Sequence, residues 1–290
     1  MKKLSYLLSL LFVAGLCLQS PAATGLKMLS VEAGSRPAGM GGAFTAVSGD
    51  PYSAAYNPSA TWGIRNLTSS IGYNSHWENT RIETGFISFC KKAVVVTSGI
   101  QFAAVDNMEG RQDATEDFVE FGAHDVSFKL GAAFELEENY YLGFALGYMY
   151  EKIDTYAGSA FNFDLGLLVR AFPDFNIGLA VLNFGSTINL RDQSYDLPTS
   201  YRGGVSYNYR NLLSSLDVIS LDGDVYVNAG AEYEFHHSLF IRAGYRFGYD
   251  RKDFSAGAGF TRRNLRIDYA FLPYKEDLGS SHLINLTFQI

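Results

Sequence analysis

The sequence predicts an all-β chain: a closed antiparallel transmembrane β-barrel of about fourteen strands. Two observations carry this, a period of two that runs through most of the chain and a sorting of connection lengths onto two rims. The period is clearest from Leu239 to Ile290. Leu239, Ile241, Ala243, Tyr245, Phe247 and Tyr249 fall on one face there, and Phe240, Arg242, Gly244, Arg246 and Gly248 on the other. That is the spacing of a strand and not of a helix. The pattern resumes with Phe254, Ala256, Ala258 and Phe260, then with Leu265, Ile267, Tyr269 and Phe271, and ends on Ile284, Leu286, Phe288 and Ile290. One face wants hydrocarbon and the other wants water. A soluble sandwich with its apolar face inward and a membrane barrel with that face outward both fit.

The same reading places strands at 66–74, 81–90, 93–105, 122–135, 139–152, 159–171, 174–184, 200–210, 213–221, 224–235, 238–249, 253–262, 264–273 and 281–290. The count is even, as bacterial single-chain barrels require. The long connections, Asp106 to Phe121, Gly185 to Thr199 and Pro273 to Ser280, all fall on odd-numbered hairpins. The short ones, Lys91-Lys92, Phe172-Pro173, His236-His237 and Arg262-Arg263, fall on even-numbered hairpins. Short turns at one rim and longer loops at the other are a barrel property, so the membrane barrel is preferred to a soluble secreted β-sandwich binding protein.

Residues 1–22 read as a signal peptide: Lys2-Lys3, an apolar run from Leu4 to Leu18, and Ser20 and Ala22 at the spacing a signal peptidase reads. Leu16 before Cys17 argues against a lipoprotein, and Cys90 is then the only cysteine left, so no internal disulfide is expected. Losing Lys2 and Lys3 takes 23 basic residues to 21 against 30 acidic ones, a formal charge of −9. That balance disfavours nucleic acid as a partner. No later apolar run reaches the roughly 18 residues of a membrane helix. The mean hydropathy of −0.01 and the 22 Phe and 19 Tyr suit strands that alternate, with aromatic residues such as Tyr140, Tyr201, Tyr245 and Tyr249 in interfacial girdles.

From 25 to 63 the period disappears. Gly34, Arg36, Gly39, Gly41, Gly42, Phe44, Asp50, Asn57 and Pro58 stand out in a run of small residues, and Pro37, Pro51 and Pro58 argue against long helices. Such a segment suits close packing within or against another element. On the strands, the charges assigned to the lumen face are Lys129, Glu151, Asp164, Arg170, Arg202, Glu232, Glu234, Arg242, Arg246, Arg266 and Asp268. Their mixed signs favour cross-strand pairing over a single-sign filter. Neither the five histidines nor any serine forms a metal-ligating or catalytic pattern, so no metal, no cofactor and no enzymatic activity are expected.

Glu32-Ala-Gly-Ser-Arg-Pro-Ala-Gly-Met-Gly-Gly-Ala-Phe44, followed by Ala54-Ala-Tyr-Asn-Pro58, resembles the amino-terminal signature of the PorV/PorQ family of outer-membrane proteins, relatives of the FadL-type hydrophobic-compound channels. Ile241-Arg-Ala-Gly-Tyr245, Ala256-Gly-Ala-Gly-Phe260 and Ile267-Asp-Tyr-Ala-Phe271 resemble its last strands. The resemblance implies a fourteen-stranded barrel over 64–290 whose segment 25–63 folds inside the lumen as a plug, or hatch. Asn57-Pro58 keep the Asn-Pro-Ala turn of the FadL-type hatch, with Ser59 in place of alanine. It further implies an outer-membrane location in contact with lipid and a conduit for hydrophobic small molecules. The alternative it carries is a type IX secretion component that works through machinery or cargo proteins.

Overall fold

The computed structural model describes residues 26–76, 80–110 and 119–290. The leader expected at 1–22 lies outside them. Fourteen of the described strands close into one antiparallel barrel. They are β1 (Thr68–Ser75), β2 (Thr80–Lys91), β3 (Val94–Gly110), β4 (Val119–Glu137), β5 (Tyr140–Ile153), β6 (Tyr156–Phe172), β7 (Phe175–Gly185), β10 (Ser200–Tyr209), β11 (Leu212–Leu221), β12 (Asp224–Phe235), β13 (Leu239–Phe247), β14 (Phe254–Arg262), β15 (Leu265–Pro273) and β16 (Ser280–Gln289). A small separate hairpin, β8 (Ile188–Leu190) with β9 (Gln193–Tyr195), interrupts the connection from β7 to β10. The alternation gives no sign of this hairpin, because three-residue strands carry too little of it to register.

Closure is made by β1 and β16, paired from Thr68↔Gln289 to Ser75↔His282. With the last strand paired to the first, no backbone edge is left unsatisfied, which is what a wall in hydrocarbon requires. The outer face is apolar: Ile71, Phe161, Phe163, Leu165 and Ile241 are each more than half exposed, while the side chains of Arg242 and Arg246 are 0% exposed on the inner face. This arrangement overturns the soluble-sandwich alternative, since no second layer covers the apolar side. Among the described residues no helix is long and apolar enough to cross a membrane.

One rim carries two- and three-residue turns, with positive φ at Lys92, Asn139, Asp174, Arg210, His236, His237 and Arg263. The opposite rim carries the longer connections at 186–199, 248–253 and 274–279. Two expectations need correcting. The connection from Asp106 to Phe121 is shorter than expected, because β3 and β4 run on past a bulge between Val105 and Met108 and stay paired to Gly110↔Val119. Tyr249 belongs to the interior: β13 ends at Phe247, Gly248 turns at φ 90°, and the alternation that would have put Tyr249 on the lipid face is broken there.

Residues 26–64 contain one short helix, α1 (Ser35–Gly39), and 3-10 turns at Lys27–Ser30, Pro51–Ala55 and Pro58–Thr61. They start at the long-loop rim, where Leu26 packs on Met149 and Ala160. They end near the tight-turn rim, where Trp62 stacks on Tyr141 at 5.1 Å.

Candidate functional site

The interior is organised by how the segment 26–64 meets the wall. Three cross-strand pairs of glycines, Gly143↔Gly166, Gly178↔Gly204 and Gly230↔Gly244, bring bare backbone to the inner face. Each receives one piece of the segment: Asn57–Ser59 lies on the first, Thr45–Ala46 on the second and Met40–Gly41 on the third. A Cβ at any of these glycines would overlap the segment's backbone or the side chains that fix it. Glycine is required there for the closeness of approach and not for a turn.

Six charges then close a ring of alternating sign. Arg36 donates to Glu232 through Nε (2.9 Å) and Nη2 (2.7 Å) and through Nη1 to Asp50 (3.1 Å). Asp50 accepts from Arg266 (2.6 Å), which donates through Nε to Asp268 (2.7 Å). Arg242 completes the circuit, with Nη1 2.8 Å from Asp268 and Nε donating to Glu232 at 2.5 Å. Two members, Arg36 and Asp50, belong to the segment; the other four belong to β12, β13 and β15. The ring is neutral, which makes burying it tolerable, and removing one member would leave an uncompensated buried charge. Burial alone would raise Asp50, but the Arg266 and Arg36 guanidiniums hold its carboxyl down at about 2.

A second ion cluster lies toward the long-loop rim. Glu32 accepts from Arg246 at 3.0 Å and Lys252 at 2.9 Å. Burial raises this carboxyl and the two cations outweigh it, so it sits well below the usual carboxylate range. Asp217 caps another turn, accepting from the backbone of Phe44 (2.9 Å) and Thr45 (3.0 Å) and from Arg202 (3.2 Å). Asn57 has both roles its amide allows: Oδ1 accepts from the Ser59 backbone at 3.1 Å, and Nδ2 donates to Thr45 (2.9 Å) and Leu167 (3.2 Å). Phe44 is fully buried edge-on to Tyr56, Gly34 lies against the Tyr52 ring, Gly39 packs on Gly257, and Gly42 faces Asn228.

A cavity of about 100 Å³ remains between the segment and the wall, lined from β2 to β5 on one side and from β7 and β10 to β12 on the other. Its apolar lining includes Leu29, Val31, Phe86, Leu182 and Ile219; Gln101, Lys129, Asn183, Arg202 and Asn228 supply polar groups. The β8–β9 hairpin folds over it, with Ile188 and Leu197 buried against Leu26 and Met149. A second recess, of about 740 Å³, opens at the tight-turn rim beside Arg36 and Arg170.

The wall beside the cavity is irregular where β6 meets β7. Register slips between Phe163↔Phe184 and Leu165↔Val181, leaving two residues of β7 opposite Asp164. Asn183 has φ 59°, and its backbone N–H donates to the Asp164 carboxylate (2.7 Å) instead of to the ladder. Lys129 of β4 donates to both, at 2.5 Å to Asp164 and 2.7 Å to Asn183 Oδ1. A bulge of this kind bends a strand and re-aims side chains.

Of the charges assigned to the lumen, Lys129, Glu151, Asp164, Arg202, Glu232, Arg242, Arg246, Arg266 and Asp268 lie inside. Arg170 and Glu234 sit at the tight-turn rim, Arg170 over the Tyr141 ring and Glu234 accepting from His237 Nδ1 at 3.0 Å. Asp217, Asn183 and Asn285 join the interior without having been expected there, and Asn285 accepts from the Ser35 backbone at 2.6 Å. For Asp217 and Asn285 the signal was present, a polar residue at an inward position of the period; Asn183 falls on the outward phase and is turned in only by the bulge. The paired glycines left no such mark, because pairing depends on register.

No protein-family model and no curated protein sequence matches the chain. Solved structures do. The CymD monoaromatic hydrocarbon channel superposes with a TM-score of 0.65 at 13% identity, over 92% of this chain and 99% of that one. A Pseudomonas aeruginosa FadL homologue gives 0.64 at 11%, over 92% and 99%. The Pseudomonas putida toluene transporter TodX gives 0.66 at 8%, over 88% and 96%. The chain has the fold of these FadL-type channels. At such identities the likeness is one of architecture, and function has to be argued from the site.

Proposed function

We propose that the protein is an outer-membrane conduit for hydrophobic small molecules, aromatic ones included, with residues 26–64 as its plug. The observation that carries this reading is the cavity between that segment and the barrel wall, apolar on most sides and bounded in part by the β6–β7 irregularity. In this mechanism a ligand enters at the long-loop rim beside the β8–β9 hairpin and displaces water from the cavity, a step favoured by about 25 cal/mol per Å² of apolar surface covered. It then leaves where the Lys129–Asp164–Asn183 cluster lets β6 and β7 part, or past the plug. Export with leader removal after Ala22 belongs to the same reading. So does a place in the PorV/PorQ group, which rests on the Glu32 to Phe44 signature. A secretion-associated role through protein partners would require docking loops, and the described loops are short apart from 186–199, which is folded inward.

The test is uptake of labelled toluene by a Gram-negative host that lacks its own channel of this kind. We expect uptake several-fold above the empty host with the wild-type chain, and a change in rate when residues 34–58 are deleted. Heat-modifiable gel mobility of the outer-membrane fraction reports assembly in each case. Uptake equal to the empty host by an assembled wild-type barrel would refute the conduit.

A further inference from the structure

Two tight turns of one rim carry adjacent cations, Lys91-Lys92 between β2 and β3 and Arg262-Arg263 between β14 and β15. They are remote in sequence, and barrel closure brings them into one sector. β15 pairs with β16, β16 with β1 and β1 with β2, so three strand spacings, roughly 14 Å, separate the turns. All four side chains are exposed, and none has a carboxylate partner among the described residues, whereas Arg81 and Lys275 at the opposite rim are paired. Lys91 continues the outward phase of Ile87 and Phe89, and Arg262 that of Phe260. Between the turns, Leu67, Leu265 and Phe288 face outward and are each at least 39% exposed. Arg65 lies in the same sector with its guanidinium 5.3 Å from the Trp62 ring centroid, and the main-chain carboxylate of Ile290, beside Leu67, offsets its charge. The next tight turns carry the opposite sign: Glu135, Glu137 and Glu138 before β5 and Asp174 before β7 are exposed. Charges placed for solubility alone are interspersed, and these are sorted.

We propose that the two dibasic turns and the apolar strip between them seat an anionic phospholipid of the inner leaflet. The short turns of an outer-membrane barrel face the periplasm, so this rim meets phospholipid headgroups. The acyl chains lie over Leu67, Leu265 and Phe288. Lys91 and Arg262 lay their stems along the same apolar surface and carry their charges to the depth of the phosphate. The guanidinium fork of Arg262 or Arg263 matches phosphate oxygens, and the lysines supply point charges. Charge complementarity alone would also suit an acidic protein. Such a partner reaches Lys92 and Arg263 at the tips of the turns and leaves Lys91 and Arg262, on the lipid side, without a counter-charge. The proposal depends on the barrel lying in the outer membrane and not on what its lumen conducts.

The experiment uses the full-length protein, exported and purified from the outer membrane in detergent. It is offered an equimolar mixture of phosphatidylglycerol and phosphatidylcholine with identical acyl chains, and the lipid retained is read by native mass spectrometry. We expect wild type to retain phosphatidylglycerol several-fold over phosphatidylcholine. The variant with Lys91→Gln, Lys92→Gln, Arg262→Gln and Arg263→Gln should retain the two alike. If that variant does not show the heat-modifiable mobility of an assembled barrel, the lysine pair and the arginine pair are replaced separately, and each should lower the preference. Arg210→Gln, at the same rim but outside the sector, should leave it unchanged. Equal retention of both lipids by wild type overturns the proposal, as does a preference that survives in the assembled variants. A loss on Arg210→Gln as large as on Arg263→Gln overturns it too, because overall charge would then be the cause. So does retention of a poly-glutamate peptide by wild type without a lipid preference, which would assign the turns to an acidic protein.

Discussion

The wall from β10 to β16 and the wall of β3 and β4 face the same internal segment and treat it in opposite ways. On the first side the segment is held by the six-charge ring, by Glu32 with Arg246 and Lys252, by Asp217 beneath Phe44 and Thr45, and by the Gly230↔Gly244 pair, which admits backbone to backbone approach. On the second side no hydrogen bond joins the segment to β3 or β4 among the described residues; the contacts are apolar, with Met28 clustered with Ala103 and with Trp62 and Ile64 clustered with Val95 and Ala133. The anchored side is specific and costly to disturb. The second side is held by apolar packing without polar anchors.

The largest expected effect breaks the anchored side. Glu232→Ala strands Arg36 and Arg242 in the interior, and a loss of about 3–5 kcal/mol is expected, read as a lower temperature for the heat-modifiable gel transition. Next comes Gly166→Val, whose side chain would occupy the place of Asn57 Oδ1 and Pro58. Overpacking of this kind costs about 1–3 kcal/mol, and limited proteolysis should newly cleave within 26–64 while the barrel itself stays resistant.

Acid should loosen the same side in a defined order. Burial lowers His76 from 6.5 to about 4, and its ring sits against Ser281 (2.7 Å) and Tyr274 (3.2 Å), with Glu32 and Lys252 also acting on it. A depressed folded value means its contribution is present at neutral pH and lost as pH falls from 6.5 towards 4. Asp50, held at about 2 against an ordinary 3.8, follows the same sign, so its anchor is lost between those two values. Thermal unfolding in detergent across pH 8 to 2 should therefore show two descending steps, and His76→Gln should remove the upper one. The smallest stability change belongs to the second side: Gln101→Phe grows into the cavity, should shift stability by under about 1 kcal/mol, and should reduce toluene uptake by several-fold. If Gln101→Phe destabilised as much as Glu232→Ala, the contrast between the two walls would be wrong.

What the sequence determined by itself was everything that depends on local alternation. Fourteen strands, their outward Leu, Ile, Phe and Tyr faces and the inward Arg242, Arg246, Arg266 and Asp268 were legible because successive side chains of a strand point to opposite faces. The small, aperiodic run from Gly34 to Pro58 was legible as a segment that packs closely. Only the tertiary structure decided which charges meet. Arg36 and Glu232 are 196 residues apart, and the closed ring exists only once β12, β13 and β15 are in register. Pairing of Gly143 with Gly166 and of Gly230 with Gly244, the bulge at Asn183 and the turn of Tyr249 to the inside have the same origin. A period of two fixes the face of each residue, but its neighbours across the barrel are set by strand register and closure, which no local pattern encodes.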